Sequence, residues 1–406
     1  MQKNWRIGSL FGIPLYLDSS WLIILVLVTT INAGELHGNQ LVQQPFLDWV
    51  LGFVMALLLF TSVLLHELGH SLVAKSQGIK VNSITLFLFG GIAAIDRESN
   101  TPGQAFQVAI AGPLVSLGLF VIFGALAALF GEASLGEFIT SDLARINLVL
   151  GLFNLIPGLP LDGGQVLKSI VWKITNNPFT GVHWASATGK AIGWFGISLG
   201  VFFWLVTGSI GTIWIALIGW FVLRNANAYD RLTTIQEILL ELTAADAMTR
   251  EYRVVNAHLT LREFAEQYVL TDVFHPIPYF AASEGRYRGK IKIQDLQNVE
   301  RSLWDQMTLL DLAHSLDQIV SVEEKTPLFE VINTLEDITE SQITVLSPAG
   351  AVSGIIDRGD IVRAIANKQN LEIPESEIKR IKEEGSYPPG FQLNLLAKTV
   401  QNFKSN

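Results

Sequence analysis

The chain has 406 residues, half of them hydrophobic, with a mean hydropathy of +0.38 and a net charge of −9 at pH 7. It is too apolar for an ordinary soluble protein of this length, so membrane spans are expected, and its acidic balance argues against nucleic acid as a partner. Cysteine is absent, which excludes disulfides, thiolate metal sites and a cysteine nucleophile and leaves His, carboxylates, Ser/Thr and Lys to carry any chemistry.

Charge is unevenly placed. Residues 1–230 hold 10 Lys/Arg and 11 Asp/Glu, whereas 231–406 hold 18 and 26. A membrane half is therefore expected to precede a water-soluble half. Lys3 and Arg6 stand before an apolar run from Trp21. No small-residue cleavage site clearly follows, and further apolar runs do, so the run reads as a first retained span rather than a signal peptide. Spans are expected at about 19–33, 47–74, 105–130, 142–157, 189–206 and 210–223, the fourth and sixth being shorter than the ~20 residues a straight crossing needs. With the N-terminus inside, the inner segments collect Lys75, Lys80, Arg97, Lys168 and Lys173, while the outer segments at about 34–46, 131–141 and 207–209 hold no Lys or Arg. This is the positive-inside pattern. Six spans return the C-terminal half to the cytoplasm, and Arg145 near the start of a span can snorkel outward.

Near the inner end of the second span stands His66-Glu67-Leu68-Gly69-His70. Helical residues four apart share a face, so both imidazoles can aim at one metal, and zinc takes neutral imidazole readily. Glu67 lies one residue along, turned by roughly 100°, within reach of a water beside such an ion. Three ionisable side chains in five residues of a span are costly unless they pair or bind something. A chance string would not be expected to persist there.

The stretch 84–95 reads as two short apolar strands around Gly90-Gly91. Two readings stand side by side: a re-entrant hairpin packed under the helices, or an edge strand that pairs with an extended peptide. The fourth span ends in Asn154-Leu-Ile-Pro157-Gly-Leu-Pro160-Leu-Asp162-Gly-Gly164, which breaks the helix at membrane depth. Such backbone is tolerated only when buried in protein or lining a wet cavity. A catalytic zinc usually has a third protein ligand. His37 is expected outside and His183 in an inner loop, whereas Asp162 stands at the depth of the His pair. Its commoner use is to cap a helix in a turn. Asn154 can stabilise an oxyanion or satisfy backbone groups freed by the break.

The soluble half repeats itself. Gly285-x3-Gly289-x5-Asp295 recurs 65 residues later as Gly350-x3-Gly354-x5-Asp360. Each copy reads as a short strand, a helix (261–269 and 328–335), a strand pair and a second helix, an α/β module duplicated in tandem. A linker helix at 229–242 precedes it, and 371–406 reads as a polar extension.

Together these residues resemble the site-2 protease family of intramembrane zinc metalloproteases. The resemblance rests on His66-Glu-x-x-His70 and on Asn154-x-x-Pro157-x-x-Pro160-Leu161-Asp162-Gly163, with Phe89-Gly90-Gly91 and Ala111-Gly112-Pro113 in support, and covers about residues 5–225. It implies a six-span core that cleaves membrane-spanning proteins, with one Zn2+ per chain on His66, His70 and Asp162, Glu67 as catalytic base and Asn154 assisting the substrate. The tail resembles a pair of cystathionine-β-synthase-type (CBS) domains through Ala245-Asp246-Ala247-Met248-Thr249 and Gly354-Ile-Ile-Asp-Arg-Gly-Asp360-Ile. In nucleotide-binding members the closing Asp holds ribose hydroxyls, which here would be Asp295 and Asp360. The position three before it, a Ser or Thr near phosphate in those members, is Lys292 in one copy and Asp357 in the other, and an acidic group near phosphate is unfavourable. Adenosine-nucleotide binding and homodimerisation stay open as uses of the tail.

The expected fold class is thus a multi-pass α-helical membrane protein of about six spans with a C-terminal soluble α/β tandem CBS module. The expected divisions are 1–228, 229–242, 243–370 (copies at about 243–303 and 307–370) and 371–406. The expected function is regulated intramembrane proteolysis in the lipid bilayer of a bacterial plasma membrane, both termini cytoplasmic. The rival readings are a CBS-containing metal-ion transporter, which the broken helix favours, and an inactive scaffold of the same fold. No inverted repeat is visible in the spans, and a dead copy has no reason to keep Glu67.

Overall fold

The computed structural model describes residues 5–39, 44–88, 90–131, 134–270, 277–338, 340–388 and 393–404, so Phe89 of the expected strand turn lies outside the described residues. The chain divides into two compact units, 1–233 and 234–406.

The first unit opens with a hairpin that the sequence reading did not anticipate, β1 (Trp5–Leu10) and β2 (Ile13–Leu17). Its two turn residues, Phe11 and Gly12, have φ of 50° and 80°, as a tight primed hairpin turn requires. The expected strands follow as β3 (Val81–Phe87) and β4 (Gly90–Ile95), and the sheet runs β1-β2-β3-β4. β2 and β3 are parallel, Leu15 opposite Ile84. Ile13, Leu15 and Ile84 are buried in one cluster with Leu68, Ala74 and Ile79. That cluster seats the sheet on the helix carrying the His pair and leaves β4 at the sheet's edge.

The helices are α1 (Trp21–Gly38), α2 (Pro45–Ser76), α3 (Pro102–Ala127), α4 (Leu135–Asn154), α5 (Asp162–Thr175), α6 (Pro178–Thr207) and α7 (Ile213–Glu241). Their starts follow local chemistry. Pro45, Pro102 and Pro178 occupy first-turn positions, where a missing N–H costs nothing. Thr101 and Ser134 accept the N–H of Gln104 and Glu137 as N-caps. Among the described residues four helices, α1, α2, α3 and α6, are long and apolar enough to cross a membrane. Their outward positions are large and apolar, among them Ile23, Val26, Val121, Phe202 and Leu205. α4 and α7 coincide with the fourth and sixth expected spans but carry Glu137, Asp142 and Arg145 in one case and Arg224 and Asp230 in the other.

Two further details differ from the sequence reading. α5 is an additional helix between the broken segment and α6. His183 lies on α6 rather than in a loop, its Nδ1 2.6 Å from Asp230. The expected linker helix at 229–242 is the end of α7, which runs without interruption to Glu241, because its polar residues do not break helical backbone.

The second unit contains two three-stranded sheets. β5 (Arg253–Asn256) lies parallel to β6 (Tyr279–Ser283), which pairs antiparallel with β7 (Arg286–Ile291). β8 (Ser321–Glu323), β9 (Gln342–Leu346) and β10 (Val352–Asp357) repeat that arrangement. The helical segments are α8 (Ala244–Ala247), α9 (Leu261–Phe264), α10 (Ile293–Asn298), α11 (Leu309–Leu312), α12 (Leu328–Asp337), α13 (Arg358–Lys368), α14 (Glu375–Glu384) and α15 (Leu393–Lys404). The 65-residue offset reappears as an exchange: Thr249 bridges Ile355 of the second copy, and His314 bridges Lys290 of the first. Each copy's leading segment completes the other's sheet. The last two helices are not free extensions, since Ile378, Ile381, Leu393, Ala397 and Val400 are buried in the core of the second copy.

Candidate metal centre

His66 and His70 project from one face of α2, both buried, and Asp162 is the first residue of α5. The structure brings the three together. His66 Nε2 lies 3.0 Å and His70 Nε2 3.2 Å from Asp162 Oδ2, and the two Nε2 atoms are 3.3 Å apart. Tetrahedral zinc with bonds of about 2.0–2.1 Å has ligand–ligand edges of roughly 3.3 Å. Among the described residues this is the one group of three or more His or carboxylate side chains close enough to hold a metal ion.

The protons argue the same way. His70 Nδ1 is 2.7 Å from the Val108 carbonyl, which can only accept, so His70 donates from Nδ1 and, as a neutral ring, turns the Nε2 lone pair to the centre. His66 Nδ1 is 2.9 Å from Ser116 Oγ, and donation there leaves a second lone pair on His66 Nε2. With the Asp162 carboxylate, three acceptors converge on one point. A cation suits that point; another acceptor would not. The donor set, nitrogen and oxygen without sulfur, suits zinc.

One face of α3 builds the other side of this centre. Val108, Gly112 and Ser116 follow at helical spacing of four. A Cβ on Gly112 would lie 2.1 Å from His70 Nε2 and 2.7 Å from His66 Nε2, so only glycine leaves the space open. The sequence reading placed Gly112 in a recognisable triplet but missed Val108 and Ser116. Their signal is the same i, i+4, i+8 spacing, faint because one of the contacts is a main-chain carbonyl.

Asp162 is delivered by the broken segment. α4 ends at Asn154, and residues 155–161 pack through Leu159, whose N–H bonds the Ala185 carbonyl at 3.0 Å. A Cβ on Gly189 would sit 2.2 Å from the Leu159 carbonyl oxygen, so α6 admits this segment only through a glycine. Buried Lys168 on α5 pairs with Glu98 at 2.6 Å, tying α5 to the stretch after β4.

Glu67 is half-buried on α2, and the Ala93 main chain of β4 hydrogen-bonds its carboxyl group. Gly91 gives it room, since a Cβ there would lie 2.4 Å from Glu67 Cγ. The edge strand and the carboxylate are therefore in contact. Asn154 is half-buried at the end of α4, and the described hydrogen bonds do not join it to His66, Glu67, His70 or Asp162.

The comparisons with known proteins bear on this geometry. Peptidase family M50 matches residues 54–145 and 133–196, and the CBS domain matches 311–367. The protein sll0528 of Synechocystis sp., named as a zinc metalloprotease, is 44% identical over 369 residues, covering 90% of this chain and 96% of that one. The chain belongs to peptidase family M50. This site-2 protease family consists of zinc metalloproteases, and the M50 match spans the His pair and Asp162. Rip3 of Mycobacterium tuberculosis, also named as a zinc metalloprotease, is 31% identical over 90% of this chain and 93% of its own. A solved site-2 protease from Methanocaldococcus jannaschii is 30% identical, covering 56% of this chain and 96% of that one with a TM-score of 0.41.

The two tail aspartates differ from each other. Asp360 is buried and fully engaged: its carboxylate meets Lys382 Nζ at 2.8 Å, Arg363 at 3.3 Å and the Asp357 N–H at 3.2 Å. Asp295 pairs with His314 at 2.6 Å, while Lys290 and Lys292 both reach Glu340, at 3.0 and 2.7 Å. α14 brings Lys382 to the second copy alone.

In an M50 protein with this centre, Gly112→Ala should abolish metal retention while leaving the helices intact. Elemental analysis of the purified chain should then fall from about one zinc to nearly none; full zinc content in that variant would contradict the assignment. In the tail, burial and the Asp357 carboxylate push Asp360 up to about 6, against the pull of Lys382. A raised folded-state value contributes stability that is complete below the unfolded value of 3.8 and lost as pH rises through about 6. The tail's thermal midpoint should therefore be higher at about pH 5 than at about pH 7. Asp360→Asn should flatten that difference; a midpoint that falls on acidification in wild type and variant alike would refute it.

Proposed function

We propose that this chain hydrolyses peptide bonds of membrane-spanning proteins within the bilayer, as one step of regulated proteolysis. His66, His70 and Asp162 hold one Zn2+, and Glu67 is the general base. The observation that carries this reading is the convergence of three lone-pair donors beside a carboxylate that is not one of them. A transporter or an inactive scaffold has no use for that fourth group.

A zinc ion held there supplies Lewis acidity. Glu67 takes the proton from the attacking water and passes it to the leaving amide nitrogen. Its contact with Ala93 holds the carboxylate at the edge of the sheet. Asn154 is the candidate donor to the developing oxyanion. The backbone of a helical substrate has its carbonyls engaged, so the scissile stretch has to be extended before attack. β4, an edge strand touching Glu67, offers pairing for such a stretch, which favours the edge-strand reading of 84–95.

The proposed core has six spans: α1, α2, α3, α4, α6 and α7. α5, with 14 residues and about 21 Å long, is too short to cross. Arg145 is compensated by Asp142, which eases α4 into a bilayer. His66 stands roughly 30 Å along α2 from Pro45, near the far side of a hydrocarbon core of about that thickness. With basic residues inside, that is the cytoplasmic leaflet of a bacterial plasma membrane, and both termini are cytoplasmic. In the proposed division, 1–228 is the protease, 229–242 the linker, 243–303 and 307–370 the CBS copies and 371–406 the extension. The tail serves as a homodimerisation module. The engagement of Asp360 by Lys382 speaks against a ribose there, leaving Asp295 as the one candidate for adenosine-nucleotide contact.

Co-expression with a tagged membrane-spanning substrate tests the reading. Glu67→Gln should lower cleavage by roughly 10²–10⁴-fold with zinc retained, and Asp162→Ala should lose both zinc and cleavage. Cleavage by Glu67→Gln at the wild-type rate would show the mechanism to be wrong.

A further inference from the structure

We infer that Asn147 is a positioning residue for the proposed reaction: its hydrogen bond to Ser62 sets the register of α4 against α2, and thereby the height of Asn154 beside the metal centre. Its effect on the reaction rests on the reading of Asn154 as the oxyanion donor. The described hydrogen bonds join neither Asn147 nor Ser62 to His66, Glu67, His70 or Asp162.

Asn147 is fully buried on α4, and Ser62 is buried on α2. Asn147 Nδ2 donates to Ser62 Oγ at 3.0 Å and to the Leu143 carbonyl, one turn back on its own helix, at 2.8 Å. Its Oδ1 accepts no hydrogen bond among the described residues. Packing alone would favour an apolar residue of similar size, such as leucine. The amide is kept in the interior at a cost, and what it does there is reach across to α2. A bilayer core has no water to take up a displaced amide or hydroxyl. Sliding α4 by one residue, about 1.5 Å, would therefore strand both groups.

The directions of the helices turn this bond into a height. α3 runs opposite to α2, with Val108 at His70 and Ser116 at His66. α4 in turn runs opposite to α3. A Cβ on Gly136 would lie 2.7 Å from the Phe130 ring just past the end of α3, and one on Gly151 would lie 3.2 Å from Leu117 and 3.5 Å from the Pro113 carbonyl oxygen. α2 and α4 are therefore parallel. Counted from the Ser62–Asn147 bond, Asn154 lies seven residues along α4, about 10.5 Å. His66 and His70 lie four and eight residues along α2, about 6 and 12 Å. Asn154 is thus level with the stretch between the two histidines, where Asp162 meets them. Asn147, Gly151 and Asn154 also share one face of α4. A misplacement of about 1 Å in a group that must meet a developing charge can cost roughly 10²-fold in rate.

The test uses the purified full-length chain in lipid nanodiscs with a tagged membrane-spanning substrate. Asn147→Leu and Ser62→Ala should each lower kcat roughly 10–100-fold with KM unchanged. Both should retain zinc in full, since α4 supplies no ligand. In an Asn154→Ala background the same substitutions should cost less than about twofold, because the group they position is gone. In protein labelled with 15N-asparagine, the Asn154 side-chain amide resonance should shift in Ser62→Ala, although the two positions are about 10 Å apart. Wild-type kcat in the folded variants, loss of zinc, an undiminished effect in the Asn154→Ala background, or an unmoved Asn154 amide would each overturn the inference. The amide measurement needs neither zinc nor substrate. It judges the Ser62–Asn147 bond even if Glu67→Gln cleaves like wild type and the protease reading falls.

Discussion

Three acceptor atoms face one another across 3.0–3.3 Å inside the apolar half of this chain, and much of the first unit serves to keep them there. Two come from one turn of α2. The third comes from the first residue of α5, where the N-terminal end of the helix favours a carboxylate. In a low-dielectric interior such a cluster is unfavourable unless a cation or a proton stands between its members. The surrounding elements meet that demand from different sides. α3 supplies a proton acceptor for each histidine and, at Gly112, the empty volume between them. The broken segment carries Asp162 to the same depth, and β4 brings its main chain to Glu67.

The tail obeys a separate logic. A 65-residue repeat folded as two independent modules would leave two sheets with unfinished edges. Exchange of the leading segments, Thr249 to Ile355 and His314 to Lys290, lets each copy protect the other. Evolution has then treated the copies unequally. Lys382 neutralises the buried Asp357–Asp360 pair in the second copy, while Asp295, Lys290 and Lys292 of the first pair with His314 and Glu340 of the second.

What was legible in the sequence follows from how local each signal is. His66, Glu67 and His70 lie within five residues, and helical spacing alone places both rings on one face. Asp162 was readable because prolines and glycines around it break a span where breakage is costly. The hairpin β1–β2 was not, since the partner that orders it, β3, lies about 70 residues on and pairs in parallel, a contact no local pattern encodes. Ser116 was hidden as a single hydroxyl in an apolar run, and the Val108 carbonyl has no side-chain signature at all. His183 was misplaced because the start of α6 was judged by apolarity, while the helix begins eleven residues earlier at a capped, polar turn. The limits of α7 blurred for the same reason: hydropathy marks where a bilayer ends, but a helix stops only where its backbone is broken.

Zinc K-edge X-ray absorption on the purified full-length chain tests the centre most directly. The account predicts one zinc per chain in a four-coordinate shell of nitrogen and oxygen at about 2.0–2.1 Å, with the outer-shell scattering of two imidazoles. A chain without bound zinc, or a shell with one imidazole or none, would contradict it.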